Sequence, residues 1–121
     1  MRILVVDDSS TMRKIIANTL KKIGCEDIVE AGNGAEGLQH LGGGGIDFVV
    51  TDWNMPVMNG LEFVKELRGL QASAKLPVLM VTTNAESTDI AGAKEAGVND
   101  YVVKPFTAET LKEKMSALLA K

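Results

Sequence analysis

The stretch Asp47-Phe48-Val49-Val50-Thr51-Asp52-Trp53-Asn54-Met55-Pro56-Val57-Met58-Asn59-Gly60 decides how this chain folds. Phe48-Val49-Val50 is a continuous apolar run, the pattern of a strand buried on both faces rather than one with a solvated side. It stops at Asp52, a carboxylate that no packing argument asks for. Asn54, Pro56, Asn59 and Gly60 then favour a turn and a helix start over a continuing strand.

The same pattern recurs on either side. Ile3-Leu4-Val5-Val6 ends in Asp7-Asp8, and Ser9-Ser10 supplies a cap for a helix whose apolar residues Ile15, Ile16, Leu20 and Ile23 recur at helical spacing until Gly24. Arg13, Lys14, Lys21 and Lys22 fall to its other faces and are expected in solvent. Asp27-Ile28-Val29-Glu30 is short and charged at both ends, as an edge strand would be. Asn33 with Glu36 forms a capping box for a second helix through Leu38 and Leu41. Gly42 to Gly45 closes that helix and reads as a flexible surface connection. It is no phosphate cradle, since such a loop follows a strand and opens a helix.

Asn59 with Glu62 repeats the capping pattern, and Leu61, Val64 and Leu67 form the buried stripe of a third helix. Val78-Leu79-Met80-Val81 is a fourth apolar run, ending in Thr82. The fourth helix, from about Glu86 to Ala96, offers only Ile90, Ala91, Ala93 and Ala96 as inward residues around Gly92, and is expected to be the most loosely held. Tyr101-Val102-Val103 precedes Lys104-Pro105-Phe106, and a last helix from Thr107 turns Leu111, Met115, Leu118 and Leu119 inward. Five strands alternating with five helices predict an α/β fold, a doubly wound parallel sheet covered on both faces. Ligands of such sheets bind beyond the carboxyl ends of the strands, where strand order reverses.

Size and composition narrow the function. A chain of 121 residues suits one domain, 1–121. With 45% apolar and 24% charged residues it reads as globular rather than disordered. A net charge of −3, with scattered basic residues, argues against nucleic acid as a partner. No apolar run approaches the roughly 18 residues of a membrane span, and Met1-Arg2 leads straight into a strand, so the expected location is cytoplasmic. Cys25 is the single cysteine, which excludes an internal disulfide and a thiolate zinc site and leaves it as apolar filler. His40, in the second helix, is expected at the surface.

The strand ends carry Asp7 and Asp8, Asp52, Thr82 and Lys104, all on one edge of the predicted sheet. Taken singly, each is an ordinary cap, turn or surface residue. Together they form a chemical set. Carboxylates brought together repel, so a cluster kept ionised calls for a cation, and oxygen donors without His or Cys favour Mg²⁺ over zinc. Lys104 adds a point charge and Thr82 a hydroxyl, groups suited to a phosphoryl oxygen. The set describes phosphoryl transfer onto a carboxylate. Trp53 and Met55 beside it are expected to pack the loop or cover the site.

Val5-Val6-Asp7-Asp8-Ser9, Thr51-Asp52-Trp53-Asn54-Met55-Pro56 with Asn59-Gly60, Val81-Thr82-Thr83, and Asn99 to Phe106 together resemble the receiver domain of two-component response regulators, over essentially the whole chain. The resemblance is closest to the stand-alone chemotaxis regulators. It implies a flavodoxin-like sheet of strand order 2-1-3-4-5. It also implies that Asp52 is the phosphoacceptor, charged by a histidine kinase (CheA-like), and that Asp7, Asp8, Asp52 and the backbone carbonyl of Asn54 serve the metal. Lys104 and Thr82 would contact the phosphoryl group, with Thr82 and Tyr101 acting as switch residues. The implied output is a flagellar motor switch protein (FliM-like), read through the fourth helix, fifth strand and fifth helix, with a phosphatase as a further partner and a monomer as the working form. The chain would be a signalling protein rather than an enzyme acting on other substrates. Asn84, near the expected phosphoryl position, varies in the family, so the lifetime of the acyl phosphate does not carry over. A phosphorelay shuttle or phosphate sink keeps the same chemistry. An aspartate-nucleophile phosphohydrolase would carry Asp-x-Asp on the first strand, where Asp7-Asp8 are adjacent, and a flavin binder would need a hydroxyl- and glycine-rich loop there.

Overall fold

The computed structural model describes residues 2–53, 58–70, 74–82, 92, 94–103 and 106–119. The chain runs β1 (Arg2–Val6), α1 (Ser10–Lys22), β2 (Asp27–Ala31), α2 (Gly34–Gly42), β3 (Phe48–Asp52), α3 (Gly60–Arg68), β4 (Val78–Thr82), a helical segment α4 with residues 92 and 94–96 described, β5 (Asp100–Val103) and α5 (Ala108–Leu119). All five strands are parallel, in the order β2-β1-β3-β4-β5. Connection order reverses between β1 and β3, and β2 lies at an edge as its short, charged sequence predicts.

The apolar runs are buried on both faces because alternate side chains enter different cores. Leu4, Val6, Val49, Val78 and Met80 meet Leu41, Phe63, Val64 and Leu67 on one side. Ile3, Val5, Phe48, Val50, Leu79 and Val81 meet Ile16, Leu20, Leu111, Met115 and Leu118 on the other. Each buried Leu, Val, Ile or Phe contributes about 1.5–3 kcal/mol relative to exposure, so these two layers hold the strand ends in place.

The helix starts follow their caps. Ser9 Oγ accepts from Met12 N at 3.2 Å, Asn33 Oδ1 from Glu36 N at 2.9 Å and Asn59 Oδ1 from Glu62 N at 2.9 Å. Glu36 Oε2 completes its box by accepting from Gly32 N. In the run Gly42 to Gly45, Gly44 and Gly45 take φ of 76° and 84°, the left-handed region that favours glycine, so the run ends the helix in a defined reversal.

Three side chains depart from the periodicity. Ile15 is 48% exposed, because it stands about 100° round the helix from the buried Ile16. Leu119, at the end of α5, is 44% exposed. Phe63, absent from the expected stripe of α3, is fully buried, and it packs so closely on α2 that a Cβ at Gly37 would lie 2.9 Å from its ring. Of the inward residues expected in the fourth helix, only Ala96 lies within the described residues, and it is buried.

At the amino ends of β4 and β5, Arg68 joins three segments. Its Nη1 donates to Leu76 O at 2.7 Å, and its Nη2 donates to Gly97 O at 2.7 Å and to Asn99 Oδ1 at 2.9 Å. Asn99 Oδ1 also accepts from Val78 N.

Phe63→Ala is expected to lower stability by about 3–5 kcal/mol, whereas Ile15→Ala should change it by less than about 0.5 kcal/mol. Urea denaturation of both variants checks this, and the opposite ranking would contradict the packing described.

Candidate functional site

The β1–β3 register places Val6 opposite Thr51, so Asp7 and Asp52 follow as the next residues of adjacent strands. Asp7 is 1% exposed and Asp52 7%, while Asp8, one residue further on, is exposed. Carboxylate oxygens of Asp7, Asp8 and Asp52 all lie within 4.8 Å of one another. β4 brings Thr82, 1% exposed, to the same edge, since Val81 pairs with Asp52.

The loops around this cluster are held by backbone hydrogen bonds. Asp7 N donates to Ala31 O at 3.1 Å, and Asp7 Oδ1 accepts from Ser9 N at 2.9 Å, an Asx turn that starts α1. Asp52 Oδ1 accepts from Trp53 N at 2.8 Å. The chain then returns so tightly that Gly60 N donates to Trp53 O at 2.7 Å. A Cβ at Gly60 would lie 2.5 Å from Asp52 O and 2.9 Å from Trp53 Cα, both backbone atoms. Only glycine lets α3 begin this close to the end of β3.

Two residues of the site were not legible as such in the sequence. Gly60 reads there as a turn residue, and its contact spans a loop that no local pattern encodes. Arg13 reads there as part of a solvated face, and the structure corrects this: it is half-buried, with Nη1 donating to Asp7 O at 2.7 Å and Nε 3.4 Å from Glu30 Oε1. A signal existed, since helical side chains lean toward the amino end and Arg13 lies one turn after the cap Ser9.

Asn54, Met55, Pro56, Lys104 and Pro105 lie outside the described residues; Lys104 follows directly on Val103, the register partner of Thr82. Trp53 is half-buried against the α2–α3 core. His40 is exposed on α2. Cys25 packs against the α1–α5 core, and burial pushes its thiol up, which suits filler rather than a nucleophile.

Tyr101 is half-buried on β5, the sheet edge opposite β2. Lys114 Nζ stands 5.4 Å from its ring centroid and 3.3 Å from both carboxylate oxygens of Asp100. Tyr101 and Lys114, with Val103, Phe106, Thr107 and Thr110, line an open cavity of about 310 Å³. No helix among the described residues is long and apolar enough to cross a membrane.

With a doubly wound sheet and three carboxylates at its switch point, the chain matches the response regulator receiver domain over residues 3–116: it belongs to that family. Within it, the chain is closely related to chemotaxis response regulators. It is 48% identical to chemotaxis protein CheY1 of Helicobacter pylori over 120 residues, covering 98% of this chain and 97% of that protein. It is 50% identical to chemotaxis protein CheY-3 of Vibrio cholerae over 118 residues, covering 98% and 91%. Among solved structures it is similar to Vibrio cholerae CheY4, with a TM-score of 0.91 at 34% identity and 97% of each chain covered. The receiver domain of the sensor histidine kinase PA1611 from Pseudomonas aeruginosa, solved with a magnesium ion coordinated in its active site cleft, shares the fold with a TM-score of 0.90 at 24% identity, covering 99% of this chain and 98% of that one.

Gly60→Ala is expected to cost about 1–3 kcal/mol, because the obstructing atoms are backbone and cannot rotate away. Its urea midpoint should fall accordingly, and a wild-type midpoint would contradict the close approach.

Proposed function

We propose that this chain is a single-domain response regulator whose Asp52 accepts a phosphoryl group from a histidine kinase. The observation that carries this reading is the convergence of Asp7, Asp8 and Asp52, with oxygens within 4.8 Å, at the strand-order reversal. In the transfer, an Asp52 carboxylate oxygen forms a bond to phosphorus as the N–P bond of a phosphohistidine breaks. The bonding pair stays with the imidazole, and the product is an acyl phosphate.

The donor set fits Mg²⁺: carboxylate oxygens, with no thiolate or imidazole in the cluster. Asp7, Asp8 and Asp52, with the backbone carbonyl of Asn54, would hold it, and the ion would offset charge on the phosphoryl oxygens. The magnesium reported for the PA1611 receiver domain supports this assignment. Burial of Asp52 against the core keeps its carboxylate fixed for in-line attack. Thr82 donates its hydroxyl to a phosphoryl oxygen, and Lys104 pairs with the acceptor and then with the phosphoryl group.

Thr82 couples the site to Tyr101, which lies on β5 two strands from Asp52, and the surface around β5 and α5 carries the output. The half-buried ring and the adjoining cavity support this role, since a switch residue needs room on one side and packing on the other. The likeness to chemotaxis proteins supports a histidine kinase upstream and a motor switch protein downstream; on this reading they are CheA-like and FliM-like, and the protein acts as a cytoplasmic monomer. It is a regulator, and its only chemistry is on its own Asp52.

Incubation with acetyl phosphate and Mg²⁺ should add a single phosphoryl group, seen by intact mass, and EDTA or Asp52→Asn should abolish it. Labelling that survives Asp52→Asn would sink the assignment. Tyr101→Ala should keep the labelling while weakening capture of a FliM-like switch peptide by the phosphorylated form; unchanged affinity would remove Tyr101 from the output.

A further inference from the structure

Asp8 differs from its two partners. Asp7 and Asp52 are walled in by the sheet, whereas Asp8 is exposed and two residues past the end of β1. What sets its direction is the peptide unit joining it to Asp7. That unit is planar, so fixing the Asp7 carbonyl oxygen also fixes the plane that contains Asp8 N and Asp8 Cα. Arg13 Nη1 donates to that oxygen at 2.7 Å. The guanidinium is in turn tethered to β2, with its Nε 3.4 Å from Glu30 Oε1. From the other side, Ser9 N donates to Asp7 Oδ1 and Asp7 N donates to Ala31 O. Among these contacts of the described residues, Arg13 is the one that grips the carbonyl leading into Asp8.

We propose that Arg13 is a positioning residue for the divalent-cation site, holding Asp8 in place for the metal through the Asp7–Asp8 peptide plane. This rests on the reading of the carboxylate cluster as a Mg²⁺ site. Charge alone would act in the opposite sense. A cation near three carboxylates weakens binding of another cation, so a purely electrostatic Arg13 hinders Mg²⁺, and its removal strengthens binding. A positioning Arg13 favours Mg²⁺, and its removal weakens binding, since groups that orient metal ligands typically govern affinity by 10–100-fold. The planar fork reaches the carbonyl and Glu30 together. A lysine supplies one point charge and recovers only part of the effect.

The test is a titration of the purified full chain with MgCl₂ alone, read by fluorescence of Trp53, whose backbone N–H donates to Asp52 Oδ1. Arg13→Ala should raise the Mg²⁺ Kd by about tenfold. Arg13→Lys should fall between it and wild type, and Asp8→Asn should lose affinity at least as much as Arg13→Ala. Unchanged or tighter binding by Arg13→Ala would overturn the positioning role while leaving the metal site standing. Should Arg13→Ala not fold by circular dichroism, Arg13→Lys decides alone, and wild-type affinity in that variant overturns the role. A wild-type chain without Mg²⁺ binding would overturn the metal site and this inference with it.

Discussion

The mutual repulsion of Asp7, Asp8 and Asp52 is the constraint that the rest of the fold answers. Their oxygens lie within 4.8 Å of one another, and two of the three residues are nearly excluded from water. Carboxylates free to move would separate. They cannot, because Asp7 and Asp52 extend directly from β1 and β3, whose residues Leu4, Val5, Val49 and Val50 are completely buried. Retreat of either carboxylate would break the ladder that pairs Val6 with Thr51. The two apolar layers thus hold the three carboxylates together, a donor set that suits a cation.

The two ends of the sheet are built for different purposes. At the carboxyl ends stand Asp7, Asp52 and Thr82, nearly buried, with Asp8 open to solvent. At the amino ends of β4 and β5, the Arg68 guanidinium and the Asn99 amide tie α3, the approach to β4 and the approach to β5 together through hydrogen bonds. Burial lowers the Arg68 pKa, and several carbonyl acceptors compensate the desolvation. One end is fastened so that the other can carry charge.

Much of this was legible residue by residue. The runs Ile3–Val6, Phe48–Val50 and Val78–Val81 declare strands buried on both faces, and Ser9, Asn33 and Asn59 declare helix starts, because both signals are local. The strand-end residues Asp7, Asp8, Asp52 and Thr82 follow once a parallel sheet is inferred. Exposure of Ile15 and Leu119 and burial of Phe63 are not legible locally, because neighbouring positions on a helix differ only by the rotation of that helix against the sheet, which its partners set. Arg13 was misjudged because its partners, the Asp7 carbonyl and Glu30, lie on other elements.

Residue type and short-range spacing alone set the alternation of strands and helices, the caps, and the placing of carboxylates after the first and third strands. Only the tertiary structure decided how closely the cluster converges, that Gly60 must lack a side chain beneath the Asp52 carbonyl, and that Arg13 turns inward to the Asp7 peptide. Those depend on distances between segments far apart in the chain. Such distances are fixed by packing and backbone hydrogen bonds, and no local pattern of residues records them.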